Sequence, residues 1–143
     1  MMLKNTTTIS TELVRDIIRF TCPPGVSGFD ISVKNTRRWF RGMAYTDGCS
    51  YHGNMRPLVT VSVGAPKMFP KVFENKRMRP GYLPSPPMGT RVEALVFVTA
   101  HELRHLWQKR VKRGRRVWGA RGQYSERDAD AYAIHMLREW RRK

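Results

Sequence analysis

Two histidines separated by three residues are the part of this sequence best suited to chemistry. The segment His101-Glu102-Leu103-Arg104-His105 has the pattern HExxH. On a helix, residues four apart lie on the same face about one turn from each other, so both imidazoles can bind a single metal ion. Glu102 lies beside them, and we expect its carboxylate to face the same cavity. The pattern therefore predicts a metal site with a carboxylate next to it.

A site of this kind needs a third protein ligand. Zinc suits two imidazoles plus a carboxylate, and a catalytic zinc site leaves the fourth tetrahedral position to water. A second acidic motif, Glu126-Arg127-Asp128-Ala129-Asp130, begins 21 residues after His105. On a helix, its first and last residues lie one turn apart on the same face.

Taken together, the two motifs resemble those of the gluzincins, the thermolysin clan of zinc metallopeptidases. In that clan HExxH is followed by a glutamate ligand and by an aspartate four residues further on. The wording ExxAD is also similar to that of the CAAX-type zinc peptidases and of the small ImmA/IrrE-like zincins. The resemblance covers the C-terminal part of the chain, from residue 101 onward.

The resemblance implies a ligand set and a substrate-binding edge. Glu126 would complete the zinc site with His101 and His105, giving one zinc ion per chain. Asp130 would accept a hydrogen bond from a ligand imidazole, and such contacts fix the orientation of the ring. The strand Val59 to Val63 would be the sheet edge that pairs with an extended substrate.

The expected activity is the hydrolysis of peptide bonds in a protein or peptide substrate. Bound zinc lowers the pKa of its water toward about 7, and a neighbouring carboxylate can take the proton as the water attacks a carbonyl. Glu102 is placed to be that general base. The developing oxyanion needs a further donor, for which the candidates are Tyr124, Tyr132 and His135. Tyr132 suits a core aromatic equally well, and His135 suits a surface histidine.

The composition favours one folded domain over residues 1–143. A chain of 143 residues with 41% hydrophobic residues can bury a real core. No stretch approaches the roughly 18 apolar residues that a membrane span needs, and the first residues lack the pattern of a secretion signal. We therefore expect a cytoplasmic protein without a membrane partner.

A net charge of +16 makes nucleic acid a possible partner, because a strongly basic surface attracts phosphate backbones. A dense basic run lies between Trp107 and Trp118, which could stack on bases. It can also be a solvated loop, as charge runs usually are. The basic residues of this run are Lys109, Arg110, Lys112, Arg113, Arg115 and Arg116.

Two other functions compete with a peptidase. One is a basic nucleic-acid-binding protein on a zincin-like scaffold without proteolytic activity. Glu102 argues against it, because zinc binding alone does not need a general base. The other is a zinc hydrolase that acts on a different bond, which a metal site by itself does not exclude.

The elements that must position these residues can be read from caps and periodicity. Ser10 predicts the start of a helix over residues 11–20. Strands are expected over residues 29–33, 38–45 and 59–63, and an irregular, proline-rich segment over residues 66–89. Thr90 with Glu93 and Ser125 with Asp128 are capping-box patterns that predict the starts of the HExxH helix and of the last helix.

These elements predict an α+β fold. We expect a small, mostly antiparallel sheet packed on the HExxH helix, with an N-terminal and a C-terminal helix, which is the zincin-like arrangement.

Overall fold

The computed structural model describes residues 1–46, 56–71, 83–110 and 123–143. Within them the chain has an α+β fold that combines a four-stranded sheet with three α-helices. The elements in chain order are β1 (Leu3–Asn5), α1 (Thr11–Thr21), β2 (Asp30–Asn35), β3 (Phe40–Tyr45), β4 (Leu58–Val63), a short 3-10 helix (Pro66–Met68), α2 (Arg91–Arg110) and α3 (Gln123–Arg141).

The sheet is mixed rather than mostly antiparallel, so that part of the predicted fold class is wrong. The strand order is β1-β2-β4-β3. The β1/β2 and β2/β4 pairs are parallel, and only β3 runs antiparallel to its neighbour β4. Helix α1 connects β1 to β2 and returns the chain to the end of the sheet where it started, which makes those two strands parallel. Strand β1 was not expected from the sequence.

The segment Val59 to Val63 forms a strand as predicted, but it is not the sheet edge. It belongs to β4, which lies between β2 and β3. The side chains of Val59, Val61 and Val63 are fully buried. Two neighbouring strands and a buried face make β4 an inner strand of the sheet, and among the described strands β3 forms the edge instead.

The alternation of side chains along the strands separates the two faces of the sheet. One face is apolar and packs against the helices, and α2 contacts both β3 and β4. The opposite face, which we call the open face, carries polar and basic side chains, many of them exposed. Within the described residues, this is the pattern of a sheet that helices cover on one side.

Helix α2 is the central helix of the fold, since it packs on the sheet, on α1 and on α3. Its residues from Ala94 to Ala100 are all buried. Within the described ranges, no helix combines the length and the apolar character needed to cross a bilayer.

The predicted caps of α1 and α2 are present. The amide of Leu13 donates to Ser10 Oγ at 3.2 Å. The amide of Glu93 donates to Thr90 Oγ1 at 3.2 Å, and the Glu93 carboxylate accepts from the amide of Gly89 at 2.7 Å. These contacts satisfy amides that have no partner within the helix.

The predicted capping box of the last helix is wrong. Helix α3 begins at Gln123, two residues before Ser125. The Ser125 hydroxyl donates to Gln108 Oε1 of α2 at 2.5 Å, and the Asp128 carboxylate binds Arg104 of α2. Both side chains are therefore used to join α3 to α2 rather than to begin α3.

The irregular segment over residues 66–89 is only partly described. It contains the 3-10 helix and a bridge in which Lys71 pairs with Met88. Residues 72–82 lie outside the described part of the chain. The amide of Leu83 reaches the carboxylate of Asp130 at 3.1 Å, so this segment borders the predicted site.

Candidate metal centre

Helices α2 and α3 bring the three predicted ligands together. Glu126 lies in the first turn of α3, and its two carboxylate oxygens are 2.9 Å from His101 Nε2 and 3.2 Å from His105 Nε2. The two Nε2 atoms are 3.1 Å apart. One potential ligand atom from each residue lies within 4.8 Å of the others, so the cluster could hold a metal ion.

The donor set fits zinc in chemistry and in spacing. Bonds of about 2.0 to 2.2 Å at tetrahedral angles place neighbouring ligand atoms roughly 3.3 to 3.6 Å apart. The separations of 2.9, 3.1 and 3.2 Å in this cluster are somewhat shorter, and the two that involve Glu126 use its two different oxygens, so a bound ion needs only a small outward shift of the ligand atoms. Two imidazoles and a carboxylate are also the ligand types that zinc accepts.

His101 is held from its other ring nitrogen. Its Nδ1 lies 2.9 Å from Asp130 Oδ1, and Asp130 is itself only 6% exposed. The second oxygen of Asp130 accepts a hydrogen bond from the amide of Leu83. The hydrogen bond with Asp130 keeps the proton on Nδ1 and leaves Nε2 facing Glu126, which is the orientation that a metal ligand needs.

His105 is oriented in the same way by a different group. Its Nδ1 donates to Gln108 Oε1 at 2.9 Å, and the Ser125 hydroxyl lies 3.2 Å from the same nitrogen. The Gln108 amide is fixed in turn, because its Nε2 donates to Ser125 O and to Asp128 Oδ2, both at 2.9 Å. A network of neutral and charged groups thus positions the second imidazole.

Glu102 lies next to the cluster without joining it. Its Oε1 is 4.0 Å from His101 Nε2, and the residue is 7% exposed. On the other side Gly42 of β3 packs directly on its side chain, so that a Cβ added to Gly42 would lie 2.5 Å from Oε1. Burial raises the pKa of the Glu102 carboxyl, against the opposite effect of the two imidazoles.

The electrostatics of the cluster favour positive charge. Burial by itself would lower the pKa of His101, but the hydrogen bonds with Asp130 and Glu126 outweigh it and raise that pKa to about 10. Hydrogen bonds from His101 and His105 hold the pKa of Glu126 well below its usual range. Carboxylates that surround the imidazoles in this way make the centre of the cluster suitable for a cation.

An ion pair fixes α2 against α3 beside the cluster. The guanidinium of Arg104 makes two contacts with the Asp128 carboxylate, Nε to Oδ2 at 2.8 Å and Nη2 to Oδ1 at 3.1 Å. The same guanidinium lies 3.6 Å from the ring centroid of Trp107. A bidentate pair of this kind restrains the relative position of the two helices that carry the predicted ligands.

The three candidate oxyanion donors differ in where their side chains lie relative to the cluster. The Tyr132 hydroxyl donates to the carbonyl of Thr21 at 2.7 Å, and burial raises the pKa of Tyr132 to about 12. His135 is exposed and follows Glu126 by nine positions, which places it on the opposite side of α3. Tyr124 lies in the first turn of α3, and its side chain is outside the described part of the structure.

Most of the predicted basic run also lies outside that part. Lys109 is an exposed residue of α2, and Arg110 ends the helix. Trp107 packs against the Arg104 guanidinium. The residues that lie outside the described ranges are Lys112, Arg113, Arg115, Arg116 and Trp118.

Two residues of the site were missed in the sequence, although each gave a signal. Gly42 occupies an inward position of a strand, and a glycine inside a strand often marks a close approach by another group. Gln108 follows His105 by three positions, which on a helix places the two side chains next to each other.

Comparison with known proteins identifies no family for this chain. Neither protein-family models, nor curated proteins, nor solved structures gave a match to the chain.

Proposed function

We propose that this protein is a zinc-dependent metallopeptidase of the gluzincin kind, with His101, His105 and Glu126 as zinc ligands and Glu102 as general base. The observation that carries the proposal is the convergence of three ligand atoms within 4.8 Å of one another beside a buried carboxylate. One zinc ion per chain and a cytoplasmic location belong to the same proposal.

Zinc bound at this place would supply a polarised water and a Lewis acid for the scissile carbonyl. Glu102 accepts the proton of the attacking water and passes it to the leaving amine. Its short distance from His101 Nε2 and its packing under Gly42 support this role. A carboxylate held there by its neighbours needs no rearrangement to act as base.

Asp130 and Gln108 are positioning residues in this mechanism. Each accepts a hydrogen bond from the Nδ1 atom of one ligand histidine. They keep both Nε2 atoms aimed at Glu126 and increase the basicity of the rings.

The edge strand supports a peptide as substrate rather than another hydrolysable bond. Among the described residues β3 pairs only with β4, and its Gly42 lies against the side chain of Glu102. An extended polypeptide can bind such an edge as an additional strand. In this proposal, an extended substrate paired with β3 would lie next to Glu102, because Gly42 lets the backbone of β3 approach that carboxylate closely.

Zinc content tests the ligand assignment. Wild-type protein should contain one zinc ion per chain, Glu126→Ala should lose it, and Glu102→Gln should keep it. His135→Ala provides the matched control for His101→Ala, since His135 is an exposed histidine on the far side of α3. Protein that binds no zinc after refolding with the metal would overturn the proposal.

Peptide hydrolysis tests the activity. A quenched-fluorescent peptide library should be cleaved by the zinc-loaded wild type and not by Glu102→Gln at equal zinc content. If the wild type binds zinc but cleaves no peptide, the non-peptide hydrolase becomes the better function.

The net charge of +16 favours a second candidate, a nucleic-acid-binding protein on the same scaffold without proteolytic activity. It would bind nucleic acid equally well in wild type and in Glu102→Gln, and neither protein would cleave a peptide. The buried Glu102 beside the cluster argues against it, since a purely structural metal site has no use for that carboxylate.

A further inference from the structure

We propose that the open face of the sheet is a binding surface for single-stranded nucleic acid. The surface lies on strands β2, β3 and β4 and on the neighbouring β1, on the side opposite to the helices. This inference goes beyond the proposed peptidase function and does not depend on zinc. The side chains that define the open face are Lys4, Asp30, Ser32, Lys34, Arg41, Met43, Tyr45, Leu58, Thr60 and Ser62.

The register of the strands aligns two cations across the sheet. Lys34 of β2 pairs with Ser62 of β4, and Ser62 pairs with Arg41 of β3. Lys34 and Arg41 are both exposed and flank the serine hydroxyl at roughly one strand spacing on each side, about 4.8 Å. Such a row presents two cations and a hydroxyl to one side, which are groups that bind phosphate oxygens.

A second row lies two residues further along the strands. In it Lys4, Ser32, Thr60 and Met43 follow one another across all four strands. Lys4 is exposed, and the hydroxyl of Ser32 is shielded from solvent without a hydrogen-bond partner in the structure. The accessible groups of this row are therefore the Lys4 ammonium and the Met43 side chain, which extend the basic and apolar surface of the first row.

The edge of the open face adds aromatic and flexible apolar surface. Tyr45 is 39% exposed and Met43 is 46% exposed, although both are large apolar side chains. Together with Lys34, Arg41, Thr60 and Ser62 they line a shallow depression of about 250 Å³. An exposed aromatic ring beside cations is the arrangement on which unpaired bases stack.

Charge complementarity decides the kind of partner. At the outward positions of the four described strands the one carboxylate is Asp30, which is 4% exposed and lies 3.7 Å from the guanidinium of Arg56. The accessible charge of the open face is therefore positive, which fits a polyanion. A single strand fits better than a duplex, because a duplex keeps its bases stacked inside and leaves Tyr45 without a partner.

The experiment measures binding of a fluorescein-labelled oligo-dT by fluorescence anisotropy, in wild type and in Glu126→Ala. We expect binding in both, which separates this inference from the zinc site. The double variant Lys34→Ala/Arg41→Ala should bind at least about tenfold more weakly, and its salt dependence should become shallower by about 1.4 in the slope of log K against log salt. Tyr45→Ala should weaken binding by about fivefold or more.

The matched control is Arg15→Ala/Arg138→Ala, which removes the same charge from exposed positions on α1 and α3. Equal loss of binding in the two double variants would overturn the inference, because it would leave only the net charge as the cause. Tighter binding of a DNA duplex, or equal competition by poly-glutamate, would also overturn it. Thermal unfolding of each variant by circular dichroism verifies that the fold is retained.

Discussion

Gly42 of the edge strand β3 packs against the carboxylate of Glu102 on α2, so closely that no side chain fits between them. A Cβ added to Gly42 would lie 2.5 Å from Glu102 Oε1, 2.6 Å from Cγ and 2.8 Å from Cδ. The backbone conformation of Gly42 is ordinary, so the need for glycine arises from space. The edge strand thereby sets the position of the proposed general base.

Gly42→Ala should reduce peptide hydrolysis by at least about tenfold while zinc remains bound, because the added methyl displaces the Glu102 carboxylate and a small misplacement can cost up to 100-fold in rate. The measurement is kcat/KM together with zinc content. Gly89→Ala is the matched control, since its Cβ would meet Glu93 Oε2 at an ordinary 3.7 Å. Full activity in Gly42→Ala would show that Glu102 does not need this position.

Gln108→Met should weaken zinc binding by about 10-fold to 100-fold, since it removes the acceptor for His105 Nδ1 while keeping a side chain of similar length. Competition with a fluorescent zinc chelator gives the affinity. His135→Ala should leave that affinity unchanged. An unchanged affinity in Gln108→Met would mean that Gln108 does not help to position His105.

Tyr132→Phe separates a structural tyrosine from an oxyanion donor. Its hydroxyl donates to the carbonyl of Thr21, a residue that is fully buried. Losing this bond should lower the free energy of unfolding by about 1 kcal/mol, as measured by urea denaturation. The value of kcat should stay within about twofold, whereas a loss of about 100-fold or more would identify Tyr132 as an oxyanion donor.

The contact between Glu93 and Arg141 predicts a dependence of stability on pH. The hydrogen bonds from Arg141 lower the pKa of Glu93 in the folded protein. A lowered pKa means that this stabilisation is complete above the unfolded pKa of about 4.3 and is lost as the pH falls through the folded pKa. Because the pair is partly exposed, it contributes no more than about 1 kcal/mol.

Glu93→Gln should therefore be less stable than the wild type at pH 7, and the difference should shrink as the pH falls below about 4. Urea denaturation in the presence of a chelator measures this without a contribution from zinc. Glu139→Gln removes the partner of the more exposed Arg142 and is the control, for which we expect little change at either pH. A difference that grows on acidification would contradict the assigned sign.

Local features of the sequence predicted the helices and placed His101, His105 and Glu126 close together, whereas their role as zinc ligands stays a prediction. The spacing of His101 and His105 and the caps at Ser10 and Thr90 depend on neighbouring residues, and the structure has those contacts. Glu126 lies opposite both histidines, as the second acidic motif predicts, although Glu126 belongs to α3 and the histidines to α2.

The features that sequence reasoning missed depend on contacts between distant residues. Three alternating valines predict a strand but do not specify its neighbours, and the resemblance that implied an edge position for this strand is wrong on that point. Ser125 and Asp128 have the spacing of a capping box, yet α2 offers Gln108 and Arg104 as stronger partners. The approach of Gly42 to Glu102 joins a strand and a helix that only the tertiary fold brings together.

Zinc should stabilise the fold, because its proposed ligands connect two helices: His101 and His105 lie on α2, and Glu126 lies on α3. Zinc at 100 times its dissociation constant should add about 2.7 kcal/mol, which raises Tm by on the order of 10 °C in a chain of this size. Calorimetry with zinc and with a chelator measures the shift. His135→Ala should show the full shift and Glu126→Ala little of it. An equal shift in Glu126→Ala would mean that zinc binds elsewhere, because a ligand stabilises only the state that holds its site.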